Sequence, residues 1–170
     1  MHRFWLSILA AAPLALGACG ENPTGPALTA RVVSVVPTGG TTGVDPSAAI
    51  VVIFSHAMQS GMEQYAALHE GDLRGPVVAG TWMWSTDRTE LTFTPAQPLK
   101  AQTQYSLHLG GGMRAADGGF IDYSSCVGQY GGQWATQGMM GGGMMGGNMM
   151  GEGWRHPNDT YGMVFTFTTT

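Results

Sequence analysis

The chain has 170 residues, 44% of them hydrophobic, which is enough for one domain with a substantial core. Seven Lys and Arg residues stand against eleven Asp and Glu residues, and the net charge is −4. Because the basic residues are few and scattered, the sequence argues against nucleic acid as a partner.

The first residues form an apolar targeting segment. The stretch from Phe4 to Leu16 is shorter than the roughly 20 apolar residues that a membrane-spanning helix needs. It ends in Leu-Gly-Ala-Cys at residues 16–19, which resembles the lipobox of bacterial lipoproteins. The resemblance implies a signal peptide at residues 1–18 and a diacylglycerol anchor on Cys19. An ordinary secretory signal with an incidental cysteine is the alternative.

A short tether follows the predicted anchor. Residues 19–30 are rich in Pro and Gly, as flexible linkers often are. Gly20 follows the cysteine where a retention signal would place Asp, so by analogy we expect the outer membrane in an organism with two membranes. A lipidated Cys19 leaves Cys126 without a partner in the chain, and we expect the fold to hold without a disulfide.

The rest of the chain is predicted to be all-β. Short apolar or alternating runs separated by Pro, Gly and Asp predict strands at residues 31–36, 49–54, 76–84, 89–94, 104–109 and 163–169. Residues 85–88 form a four-residue hairpin loop, and residues 59–69 offer at most one or two helical turns. This spacing predicts an Ig-like antiparallel β-sandwich of about seven strands over residues 31–170.

Five motifs follow one another along the chain: Val33-Ser34-Val35-Val36-Pro37, the run Ile50 to Ser55 with Met58, Leu91-Thr92-Phe93-Thr94-Pro95, Thr103-Gln104-Tyr105 and Phe165-Thr166-Phe167-Thr168-Thr169. This ordered set resembles the bacterial Ig-like domain of the SbsA type, the module of S-layer and other surface proteins. The resemblance covers about residues 31–120 and 161–170. It implies a structural or binding module of the cell envelope, whose partner, an envelope protein or a glycan, is not specified.

The alternation of the strands assigns side chains to an inner and an outer face. The predicted core consists of Phe54, Leu91, Phe93, Tyr105, Leu107, Phe165 and Phe167. We expect Tyr105 to act as a tyrosine corner that bonds backbone between residues 99 and 103. We expect Trp82 and Trp84 to pack inward, and the isolated residues His69 and His108 to be solvated.

Residues 121–160 depart from the family pattern as a long Met/Gly-rich insertion before the last strand. Six methionines occur there in pairs, with one histidine close behind: Met139, Met140, Met144, Met145, Met149, Met150 and His156. Thioether sulfur is a soft ligand that suits Cu(I), so this set is a candidate copper site. The other interpretation is a low-complexity loop, predicted to be disordered, with no specific function. In either case the sandwich should fold without it.

No catalytic motif is present in the sequence. It lacks Gly-x-Ser-x-Gly, His-Glu-x-x-His and Cys-x-x-Cys, and its acids at residues 45, 72, 87 and 117 fall in predicted turns. We therefore predict a non-catalytic, lipid-anchored envelope module. An envelope lipoprotein that binds Cu(I) through the methionine pairs is the alternative.

Overall fold

Two β-sheets packed face to face make up the part of the chain that the computed structural model describes, residues 28–122, 133–134 and 162–170. The strands are β1 Leu28–Val36, β2 Ile50–Phe54, β3 Ala66–Glu70, β4 Gly80–Trp84, β5 Glu90–Pro95, β6 Gln104–Leu109, β7 Phe120–Asp122, β8 Gln133–Trp134 and β9 Met163–Thr168. A single 3-10 turn, Met62–Tyr65, precedes β3. One sheet has the strand order β4-β5-β2-β1-β7, and the other has the order β3-β6-β9-β8.

The prediction of an all-β, Ig-like sandwich is confirmed, with one change in pairing. Strand β7 runs parallel to β1, with Leu28 opposite Phe120 and Arg31 opposite Asp122, so the sandwich is not purely antiparallel. The described residues contain nine strands against the roughly seven predicted, because the short strands β3, β7 and β8 add to the six segments predicted from the sequence. Strand β1 begins within the segment predicted to be a tether, and β7 reaches two residues into the predicted insertion.

Every predicted core residue is buried between the two sheets. Trp82 and Trp84 face inward as predicted: the Trp82 ring lies 4.6 Å from that of Phe93, and Trp84 lies 5.7 Å from Phe54. Met83, between them, points to the outer face and is 65% exposed. Strand β4 therefore places two aromatic rings on the core and one thioether in water.

The predicted tyrosine corner is present at the start of β6. The backbone N–H of Lys100 donates to the Tyr105 hydroxyl at 2.8 Å. The Tyr105 ring is buried and stacks on Phe167 at 5.7 Å between ring centroids. This bond ties the loop between β5 and β6 to the core, because a buried hydroxyl needs a partner and the loop's N–H supplies it.

Strand directions give the sandwich two distinct ends. Strand β1 starts beside the end of β2, where Val32 pairs with Phe54, and the β4–β5 hairpin turns at the same end. The loop that follows β6 reaches the same end, where the N–H of Gln59, in the loop after β2, donates to the carbonyl of Arg114 at 3.0 Å. We call this end the tether pole. The opposite pole contains residues 37–48, 71–75, 96–103 and 169–170.

Candidate functional site

All the residues predicted to carry chemistry lie outside the described part of the chain. They are the lipidation residue Cys19 and the proposed copper ligands Met139, Met140, Met144, Met145, Met149, Met150 and His156. Their roles stay predictions. What the structure does describe is the pair of strands on either side of the methionine pairs.

Strands β8 and β9 form an antiparallel pair on either side of the methionine run. Trp134 pairs with Met163, and Gln133 pairs with Val164. Met163 also pairs with Leu109 at the last residue of β6, which lies at the tether pole. The strands that precede and follow the methionine run therefore lie side by side at the pole where β1 begins.

The expectation that His69 and His108 are solvated is wrong. His69 is 6% exposed and His108 is 1% exposed. The Nδ1–H of His69 donates to the carbonyl of Gly75 at 3.1 Å, because the turn after β3 folds back over the outer face of this sheet. His56, by contrast, is exposed and hydrogen-bonds the Ser55 hydroxyl through Nδ1 at 2.8 Å.

The turn acids stabilise loops, as predicted. The carboxylate of Asp45 accepts bonds from the N–H and hydroxyl of Ser47, which lower its pKa. Asp87 accepts from the hydroxyl of Ser85 at 2.6 Å and from Thr89, and these bonds likewise lower its pKa. Such acids stay ionised and stabilise the turns in which they lie. Over residues 28–122 and 162–170, no three His, Cys, Asp or Glu side chains come together as metal ligands.

A shallow groove of about 220 Å³ lies at the opposite pole. Its walls are the extended segment of residues 76–79 and the loop of residues 96–100, with Tyr105 at its base. An ion pair closes one rim: Lys100 Nζ lies 2.7 Å from Glu70 Oε1. The hydrogen bond and negative charge of Glu70 raise the pKa of Lys100. No pattern in the sequence predicts this groove, because one wall is the extended segment that passes from the edge of β3 to β4 in the other sheet.

The family described as Bacterial Ig-like domain matches residues 27–125, from just before β1 to just after β7. The chain belongs to this family. Bacterial Ig-like domains of this kind are typically non-catalytic structural or binding modules of the cell surface. The family match thus supports a module associated with the cell envelope.

Several solved structures resemble parts of this bacterial Ig-like domain. The surface layer protein SbsC, domains 1-6, is 18% identical over 58% of this chain and 13% of its own, with a TM-score of 0.42. L,D-transpeptidase 1 of Mycobacterium tuberculosis is 19% identical over 49% of this chain and 36% of its own, with a TM-score of 0.38. An L,D-transpeptidase of Mycobacterium smegmatis is 22% identical over 50% of this chain and 37% of its own, with a TM-score of 0.39.

This chain therefore spans 13% to 37% of the length of those three proteins. Among curated protein sequences, none matches the chain. Within the described residues, no helix has the length and apolar character to cross a membrane.

Proposed function

We propose that this protein is a non-catalytic module held at the cell envelope by a lipid on Cys19, where it acts as a structural or binding unit. In an organism with two membranes, the proposed location is the outer membrane. The observation that carries the proposal is the family match at residues 27–125, which begins within the last part of the predicted tether. Strand β1 starts at Leu28, so few residues separate the proposed anchor from the folded domain.

The strand directions suit this arrangement. A chain extends at most about 3.3–3.6 Å per residue, so the part of the predicted tether from Cys19 to Leu28 spans at most about 30 Å. Because β1 starts at the tether pole, that pole would lie near the bilayer and the opposite pole would point away from it. The groove between residues 76–79 and 96–100 would then be open to a protein or glycan of the envelope.

Replacing Cys19 by alanine tests the anchor. We expect the wild-type protein to sediment with membranes and to enter the detergent phase of a Triton X-114 partition. The Cys19→Ala protein should lose both properties, because it has no thiol to receive the diacylglycerol. Cys126→Ala is the matched control and should behave as wild type. A Cys19→Ala protein that still partitions with membranes would contradict the proposal.

We propose Cu(I) binding by the methionine run as a second candidate function. The supporting observation is the pairing of Trp134 with Met163, which places the strands on either side of the run next to each other. A loop with fixed ends loses less conformational entropy when several thioethers gather around one ion than a free tail would. Thioethers carry no proton at neutral pH, so binding would persist in mildly acidic surroundings.

Titration with Cu(I) against a competing chelator tests this second function. Replacing Met139, Met140, Met144, Met145, Met149 and Met150 with serine should lower the apparent affinity by at least about 100-fold, since serine oxygen is a poor ligand for Cu(I). The circular dichroism spectrum should be unchanged. Met83→Ser, which removes an exposed thioether outside the run, is the control and should bind as wild type. Equal affinity for all three proteins would remove the copper function.

A further inference from the structure

Strand β4 is the open edge of the five-stranded sheet. The other edge strands in the described part of the chain are short or covered. Strands β7 and β8 have three and two residues. Strand β3 is flanked by residues 76–78, where the N–H of Val78 donates to the carbonyl of Leu68 at 2.8 Å. Strand β4 is longer, and nothing in the described residues flanks it.

The hydrogen bonds at its two ends establish which backbone groups of β4 face outward. The N–H of Ala96 donates to the carbonyl of Ala79, and the N–H of Ser85 donates to the carbonyl of Glu90, both at 2.9 Å. Because bonding alternates along an antiparallel strand, Thr81 and Met83 also bond to β5. The N–H and C=O groups of Gly80, Trp82 and Trp84 therefore point away from the sheet. No group among the described residues bonds them on that side.

Strand β4 also lacks the features that usually protect an edge. Natural edge strands carry Lys, Pro or a bulge, or are very short, because unpaired backbone groups invite another strand. The sequence of β4, Gly-Thr-Trp-Met-Trp, has no charge and no proline. Its register with β5 is regular from Gly80 to Trp84. Met83 adds a large apolar side chain at 65% exposure.

We propose that β4 is an interaction surface for β4 of a second copy of this chain. An antiparallel pair centred on Trp82 sets Trp82 opposite its counterpart and Gly80 opposite Trp84, so every outward N–H and C=O finds a partner. No like charges meet, because the strand has none. Met83 then lies opposite Thr81 of the other copy on the outer face, and its thioether packs beside the other Met83.

This pairing does not depend on the lipid anchor, although its placement at a membrane rests on the proposed function. The antiparallel arrangement sets the tether poles of the two copies at opposite ends of the strand pair. Both tethers reach the same bilayer when the two-fold axis of the dimer is normal to the membrane. The sheets of the dimer then lie along the bilayer, so the upright orientation proposed above applies to the monomer. The anchor and the dimer are tested separately.

Sedimentation velocity of the mature chain from residue 19, with Cys19→Ser and Cys126→Ser, tests the dimer without a lipid. We expect a concentration-dependent dimer. Met83→Lys should raise its dissociation constant at least tenfold, because two cations would meet across the pair. Val36→Lys is the matched control, since Val36 is 53% exposed on the same sheet but lies on β1. A protein that stays monomeric up to about 200 µM, or a dimer that is unchanged by Met83→Lys, would overturn the proposal.

Disulfide formation tests the register. Residues 81 and 83 of two copies would face each other at a non-hydrogen-bonded position, where Cα atoms lie about 4.5 Å apart, within the range that a disulfide spans. A mixture of Thr81→Cys and Met83→Cys proteins should therefore form a heterodimeric disulfide faster than either protein forms a homodimeric one. Equal rates in all three samples would contradict the pairing centred on Trp82, even if a dimer exists.

Discussion

Alanine in place of Gly162 is expected to lower the free energy of unfolding by at least about 3 kcal/mol. Gly162 has a φ of +89°, a region that residues with a Cβ rarely adopt. A Cβ atom there would lie 1.9 Å from the carbonyl oxygen of Leu109 and 2.8 Å from the backbone nitrogen of Gly111. Both neighbours are backbone atoms, so relief requires β6 or β9 to shift.

Urea unfolding of the mature chain, followed by tryptophan fluorescence, measures this loss. Gly118→Ala is the matched control, because Gly118 has a nearly identical φ of +88° but no atom within 4 Å of its Cβ position. Gly118→Ala should lower the free energy of unfolding only by the cost of a positive φ for a residue with a Cβ, about 1–2 kcal/mol. Losses of similar size in the two variants would mean that the close approach of Gly162 to β6 is not a constraint on the fold.

Aspartate in place of His108 is expected to cost several kcal/mol, or to prevent folding, because it puts an unpaired charge into a buried site. The alternating pattern of β6 would predict a harmless surface change. His108 is instead 1% exposed, on the outer face of the four-stranded sheet, in register with Val164 and Ala67. The same denaturant unfolding measurement distinguishes the two expectations.

His56→Asp provides the comparison. His56 is exposed in the loop after β2, so the aspartate replaces an imidazole that is already in water. Its effect should stay within about 0.5 kcal/mol, as for most surface changes. If His108→Asp proved equally mild, the outer face of β6 would be open to solvent, as the sequence pattern alone suggests.

The inner face of the sandwich was predictable because one face of every long strand is uniformly apolar. Tyr105, Phe165 and the tryptophans of β4 all lie where alternation placed them. The outer face of β6 was not predictable in the same way. Ser106 and His108 look like solvent-facing residues, yet both are 1% exposed. Burial of polar side chains depends on what covers the sheet, such as the turn that accepts the Ser106 hydroxyl bond at Gly71.

The sequence pattern also did not predict strand β3 or the change of sheet after it. Residues 59–69 mix small, polar and apolar side chains, so β3 has no clear alternation. Residues 76–84 were predicted as one strand, but residues 76–78 flank β3 in one sheet and β4 belongs to the other. Both parts are extended, and sequence periodicity does not report which neighbour an extended segment pairs with. The groove and the open edge of β4 both follow from that crossover.

The position of Leu28 at the start of β1 affects how the module would bear mechanical load. A force that pulls the residues before Leu28 outward from the domain at the tether pole acts along the axis of β1. Strand β1 is hydrogen-bonded on both sides, to β2 and to β7. If the load is resisted at the opposite pole, those bonds share it in shear and must break together rather than one after another. A domain attached through this strand would resist extension more strongly than one pulled apart from the side.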